Sequence, residues 1–97
     1  MMINPVRDQN LIYYTYVIQS HKSKRRYTGS TNDLRKRLNQ HNKGKSAWTK
    51  NGIPWKLIYY EACLDEQDAK SREKYLKSGM GKRYLKNRLR RFLSLTG

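Results

Sequence analysis

The sequence predicts an α+β domain of the α/β class: a small three-stranded, mainly antiparallel sheet flanked by about three helices. Three observations carry that expectation. Leu11 to Ser20 and Trp55 to Cys63 concentrate the β-branched and aromatic residues that pack well on a pleated, half-buried surface. A third short run, Arg25 to Gly29, follows the first after only a few polar residues, a spacing that suits an antiparallel hairpin. Three other stretches repeat apolar residues at helical intervals. At 97 residues the chain has room for one domain. It spans residues 1–97, with a core at about 11–79 and a basic C-terminal helix at about 82–95.

Taken in order, the first strand sets Leu11, Tyr13, Thr15 and Val17 on one face and Ile12, Tyr14, Tyr16 and Ile18 on the other, so both faces are expected to be covered. Pairing with Arg25 to Gly29 brings Tyr16 close to Tyr27. Ser30, Thr31, Asn32 and Asp33 all suit a helix N-cap, and Leu34, Leu38 and His41 then fall at i, i+4 and i+7, which predicts a helix over Asn32 to Asn42. Gly44, Ser46, Asn51, Gly52 and Pro54 punctuate the next stretch, read as a mobile loop from Lys43 to Pro54 with Trp48 as its only large apolar group. After the third strand, Asp65 opens a helix carrying Ala69 and Leu76, and Ser78-Gly79-Met80-Gly81 stops it. Leu85, Leu89, Phe92 and Leu93 mark an amphipathic helix from Lys82 to Leu95.

Composition narrows the function. Apolar residues make up 36% of the chain and aromatics 11%, enough for a core, so wholesale disorder is excluded. The longest apolar-looking run, Leu11 to Ile18, already contains Thr15 and is far short of the ~20 residues of a membrane span. No N-terminal stretch has the pattern of a secretory signal. A single cysteine, Cys63, and two histidines leave no internal disulfide and no Cys/His zinc spacing, which fits a reducing cytoplasm with Cys63 as a small buried hydrophobe. The 22 Lys and Arg against 7 Asp and Glu give a charge of +15, and a polyanion is the partner that relieves such self-repulsion.

The charge is unevenly placed. Lys22 to Lys56 holds eleven bases and one acid, Asp33, whereas five of the seven acids lie between Glu61 and Glu73. Nucleic-acid contacts are accordingly expected from Arg35 and Lys36 on the first helix, from Lys43, Lys45 and Lys50 in the loop, and from Lys86, Arg90 and Arg91 on the last helix. Trp48, in the same basic loop, suits stacking on an exposed base. Among so many cations a misplaced acid is informative. Glu73 lies between Ala69 and Leu76 on the helix stripe that should face the sheet, where a carboxylate needs a partner such as Arg72, or a metal. Arg37 and His41 are four apart on one helix face, beside Leu34 and Leu38.

Taken together, these residues resemble the GIY-YIG nuclease superfamily, in the form of a small stand-alone member similar to the N-terminal catalytic domain of an excinuclease subunit. The first motif corresponds to Tyr14-Thr15-Tyr16 and the second to Tyr27-Thr28-Gly29, with Arg37, His41 and Glu73 following in the family's order. Tyr14 and Thr15 replace the first motif's glycine and its neighbour, and Ser30 stands where some relatives carry a lysine. The cationic helper then falls to Lys36, Arg35 or another base. The resemblance runs from about Tyr13 to the end of the second helix. It implies a metal-dependent endonuclease that hydrolyses phosphodiester bonds in DNA, in repair or branched-DNA processing, with Tyr16, Tyr27, Arg37 and His41 catalytic and Glu73 holding one divalent ion, Mg²⁺ or Mn²⁺. The alternative on the same fold is a nucleic-acid-binding module without chemistry. No recognition domain is evident, so target choice is expected from the loop, the last helix or a protein partner.

Overall fold

Alternation along the first strand decides the layering. In the computed structural model, which describes residues 11–96, β1 (Tyr13–Ser20) is the middle strand, between β2 (Arg26–Thr31) and β3 (Trp55–Cys63), and both pairings are antiparallel. Tyr16 and Ile18 point to one face, where they join Trp55, Tyr27 and Leu57 beneath Leu34 and Leu38 of α1 (Leu34–Asn42). Val17 points to the other, against Leu76 of α2 (Glu66–Lys77) and Leu85 of α3 (Gly79–Arg88). A β-bulge opposite Val17 and Ile18 lets both Ile58 and Tyr59 reach that second layer. A short α4 (Arg90–Thr96) completes the described chain. The expected α+β architecture of three antiparallel strands covered by helices is therefore present.

The boundaries differ where capping chemistry intervenes. β1 starts at Tyr13 rather than Leu11, and β2 continues through Ser30 to Thr31 because both still pair with β1. Asp33 is the N-cap of α1, its carboxylate accepting from the Lys36 N–H at 3.0 Å. Asp65 caps α2 in the same way. The last helix is two helices, which corrects the single span expected over Lys82 to Leu95. Ser78 ends α2 and caps α3 through its hydroxyl, which donates to the Tyr75 carbonyl and accepts from the Gly81 N–H. Leu89 then leaves helical geometry before α4. The Ser-Gly-Met-Gly run is thus an N-terminus as well as a stop.

The stretch from Lys43 to Pro54 is pinned rather than mobile. Asn42 closes it like a clasp, accepting from the Trp55 N–H at 2.6 Å and donating to the Trp55 carbonyl at 3.0 Å. The Trp55 indole donates to the Thr49 carbonyl, and Ser20 donates to the Gly52 carbonyl. A 3-10 turn at Lys50–Gly52 follows the buried Thr49. Trp48 is not the loop's only large apolar residue, since Ile53 packs into the core while Trp48 is 85% exposed.

On the other layer, Thr15 donates to the Ala69 carbonyl at 2.7 Å and so fixes α2 on the sheet. Arg72 donates through Nε to both Glu61 oxygens and stacks on Tyr75 and Tyr84. It is therefore unavailable to Glu73. Cys63 is half-buried rather than buried, near the Tyr13 and Asp65 carbonyls. No helix among the described residues is long and apolar enough to cross a membrane. The N-terminal segment on which the absence of a secretory signal was read lies outside the described residues.

A Cβ on Gly81 would overlap the Tyr75 carbonyl and the Leu76 backbone, whereas one on Gly79 meets nothing within 4 Å. Gly81→Ala should lower the stability by about 1–3 kcal/mol, and Gly79→Ala should leave it unchanged or slightly raised. Urea unfolding of the two variants against wild type measures the contrast.

Candidate functional site

The site begins with a glycine. Gly29 of β2 pairs with Tyr16 of β1, and an ideal Cβ on Gly29 would lie 2.6 Å from the Tyr16 hydroxyl oxygen. No other residue leaves that path open. The Tyr16 ring therefore lies across β2 and carries its hydroxyl under α1, where it meets His41 Nε2 at 2.8 Å. The other ring nitrogen, Nδ1, meets the Thr49 hydroxyl at 2.7 Å. Tyr27, two residues before Gly29 and on the same face, sets its ring edge-on to His41 with centroids 5.1 Å apart. Its ring lies 6.5 Å from that of Tyr16.

Burial fixes the proton inventory of this cluster. Tyr16 is 2% exposed and His41 is fully enclosed. Loss of solvation raises the Tyr16 pKa to about 12, even though the Arg37 guanidinium beside the hydroxyl pulls it down. The phenol is neutral at physiological pH. Loss of solvation, reinforced by the positive charge of Arg37, lowers the His41 pKa to about 4, so the imidazole is neutral too. A neutral imidazole has one donor and one acceptor nitrogen, and the Tyr16 and Thr49 hydroxyls satisfy both. Arg37 itself is half-buried one turn before His41, with Nη1 donating to Gln40 at 3.0 Å.

Glu73 reaches the same neighbourhood from α2, close enough for its charge to act on the Tyr16 hydroxyl. Ala69 and Leu76 on its stripe are buried, whereas the Glu73 side chain stays 23% exposed at the border of the layer. Its partner is Lys77, four residues on, at 2.7 Å, and not Arg72. Among the described residues no group of three or more His, Cys, Asp or Glu could enclose a metal. A single carboxylate does fit Mg²⁺, which keeps several waters and takes one or two carboxylates together with substrate phosphates. Glu73 is the residue that would hold it, with Lys77 displaced.

The structure thus brings Tyr16, Tyr27, Arg37 and His41 together on the α1 face of the β1–β2 pair, with Glu73 on α2 near enough for its charge to reach the Tyr16 hydroxyl. The basic residues are more dispersed. Arg35, Lys36, Lys43 and Lys45 line one groove of about 400 Å³ on the outer side of α1, with Asn39. Lys36 and Arg35, considered as substitutes for the missing lysine, thus lie in that outer groove. Lys50 and Trp48 are exposed on the loop. Lys86 and Arg90 lie elsewhere, with Lys24 and Arg26 of the hairpin, and Arg91 faces a different hollow beside Phe92. Sequence reasoning missed Thr49, whose only signal was a hydroxyl eight residues after His41, and Lys77, an ordinary i, i+4 partner of Glu73.

A three-stranded sheet that gathers two tyrosines, an arginine, a histidine and a glutamate on a basic scaffold defines a nuclease-type domain. The chain belongs to the GIY-YIG family, matching its catalytic domain over residues 12–87. That match extends into α3, beyond the part on which the sequence motifs rest. Curated relatives include the UPF0213 protein CPE1444 of Clostridium perfringens, 42% identical over 65 residues covering 66% of this chain and 69% of that protein. The UPF0213 protein SpyM50708 of Streptococcus pyogenes serotype M5 is 43% identical over 65 residues, covering 66% and 70%. Among solved structures, the solution structure of the UPF0213 protein BH0048 from Bacillus halodurans is similar at 28% identity with a TM-score of 0.48, over 77% of this chain and 82% of that one.

The enclosed imidazole has a stability consequence. A histidine whose pKa falls from 6.5 unfolded to about 4 folded leaves the native state with fewer bound protons than the unfolded state between those values. Its contribution is complete above pH 6.5 and is lost as the pH drops towards 4. His41→Gln should remove that part of the pH slope, as read from urea midpoints measured across the interval for variant and wild type.

Proposed function

We propose that the protein is a metal-dependent endonuclease that hydrolyses phosphodiester bonds in DNA, with Mg²⁺ or Mn²⁺ at Glu73. The observation that supports this reading best is the convergence of a neutral Tyr16–His41 pair with Arg37, and of the Glu73 charge on the same Tyr16 hydroxyl. The Tyr16 hydroxyl orients the attacking water and passes its own proton towards His41 Nε2 as it accepts one from that water. This relay answers a difficulty of phenol chemistry, since a tyrosine with a raised pKa is a poor base alone. The water oxygen bonds to phosphorus, the bond to the leaving sugar oxygen breaks, and that oxygen takes a proton from solvent.

Arg37 supplies a permanently charged donor fork to the phosphoryl oxygens, where negative charge grows in the transition state. Its charge adds to burial in holding His41 neutral at rest, so a bound phosphate must offset that charge before Nε2 takes the proton. Tyr27 positions the phosphate from the half-exposed side of the cluster. Glu73 would hold a divalent ion, which when bound would supply Lewis-acid polarisation of a phosphoryl oxygen. Contacts from the α1 groove, the loop and the last helix hold the remaining phosphates. The repair or branched-DNA setting, a cytoplasmic location and a protein partner that selects the target belong to the same proposal.

A second reading, nucleic-acid binding without hydrolysis, draws on the Glu73–Lys77 pair, which already neutralises the carboxylate. The two readings separate cleanly. On the nuclease reading, Glu73→Ala and Arg37→Ala each lower cleavage by about 10² or more, and chelation of divalent ions abolishes it, while binding in chelator persists. A panel of linear, nicked, branched and single-stranded DNA with Mg²⁺ or Mn²⁺ provides the assay. No cleavage of any substrate by wild type supports the second reading, whereas unchanged cleavage by Glu73→Ala contradicts the metal site assigned to Glu73.

A further inference from the structure

The hairpin cations have no part in the cluster above, yet they line a path into it. Lys24, Arg25 and Arg26 lie with Tyr27, Lys77 and Lys82 along a groove of about 490 Å³ floored by Val17, Leu76 and Leu85. A second groove of about 500 Å³ shares Lys24 and Arg26 and continues to Lys86 and Arg90. The shared residues make the two adjoin. No acidic residue lines either one. Tyr27 at the near end packs against His41, and Lys77 is the partner of Glu73. One wall of the path is β2, an edge strand with one side free of a neighbouring strand. The opposite wall is α3, on which Lys82 and Lys86 stand about 6 Å apart along the axis.

We propose that this cationic channel along the β2 edge holds the sugar-phosphate backbone of a nucleic-acid strand running away from the scissile phosphate, as a grip distinct from the groove on the outer side of α1. The proposal rests on the nuclease reading for its direction but not for its occupant. A channel walled by Lys and Arg on both sides, with no acid, suits a regularly spaced row of phosphates. The grip is blind to sequence. Its one side-chain amide, Gln19, donates to the Lys24 carbonyl at 3.3 Å, and the charged heads on both walls suit phosphate oxygens, which carry no sequence information. Two separate basic grooves flanking one chemical cluster also suit a substrate held on both sides of the cut, and so give a domain of this size a way to position DNA.

The test uses the full chain in chelator, where nothing is cleaved, with labelled DNA of two unrelated sequences, each as a single strand and as a duplex. Arg26 and Lys86 are exposed, so the double variant Arg26→Gln/Lys86→Gln should fold, with circular dichroism as the check. Its affinity should fall about tenfold at moderate salt, and the slope of log Kd against log salt should shrink by about 1.4 to 1.8, as expected for two lost phosphate contacts. The loss should be equal for the two sequences. Lys43→Gln/Lys45→Gln, on the other groove, should reduce the slope independently and additively. A wild-type slope in the channel variant overturns the proposal, as does a loss confined to one sequence. Tighter binding of wild type to polyglutamate than to DNA also overturns it, by making the channel a dock for an acidic polypeptide. The two failures are distinguishable, because wild type that cleaves no DNA with Mg²⁺ or Mn²⁺ sinks the nuclease reading and leaves the channel result intact.

Discussion

The hydrogen-bond chain from Tyr16 through His41 to Thr49 is the constraint around which the rest is arranged. It joins the central strand, the first helix and the loop through side chains that are at most 2% exposed. Leaving any of these buried polar atoms unpaired would cost on the order of 1–3 kcal/mol, and among the described residues no buried side-chain nitrogen or oxygen lacks a partner. Gly29 is required because the tyrosine must cross β2 to enter the chain. The Asn42 clasp on Trp55 and the indole bond to the Thr49 carbonyl hold the loop where Thr49 can close it.

The same enclosure sets the chemistry. Burial drives both Tyr16 and His41 to their neutral forms, and Arg37 biases the pair further by opposing a proton on the imidazole. A neutral hydroxyl in contact with a neutral ring nitrogen can move a proton in one direction without prior ionisation. On the proposed mechanism, the negative charge of an arriving phosphate would offset that of Arg37, which after burial is the second cause that disfavours a protonated His41. On that proposal, substrate binding and proton acceptance would be linked through one guanidinium, with Glu73 the acid whose charge reaches Tyr16. On the same proposal the surrounding excess of cations would serve a different purpose, since phosphate contacts at the periphery add affinity and register but no bond-making.

Much of this was legible from residue pattern. Alternation in β1 put Tyr16 on the face of Ile18, helical spacing put Arg37 and His41 together over that face, and the hairpin brought Tyr27 alongside. These are short-range periodicities, and the sequence states them directly. What was not legible depends on tertiary closure. Thr49 lies in a stretch with no periodicity, and its burial follows from the Asn42 clasp, which no local pattern announces. The glycine-rich run after α2 read as a stop because glycine is common there, yet the Ser78 hydroxyl also caps the next helix. Arg72 was a reasonable partner for Glu73 until Glu61, from a neighbouring strand, proved to hold it at 2.9 Å. The hairpin cations were visible as charge but not as a wall, because the opposite wall comes from α3, far later in the chain.

The central claim is that the enclosed hydroxyl of Tyr16 takes part in the reaction rather than merely filling the core. Tyr16→Phe keeps the ring, its packing over Gly29 and its place in the sheet, and removes a single oxygen. The decisive measurement is the single-turnover cleavage rate of this variant with Mg²⁺ or Mn²⁺, alongside its DNA affinity in chelator and its melting temperature. The rate should be lower by about 10²-fold or more with affinity near that of wild type. A Tyr16→Phe variant that folds, binds and cleaves as fast as wild type would contradict the claim.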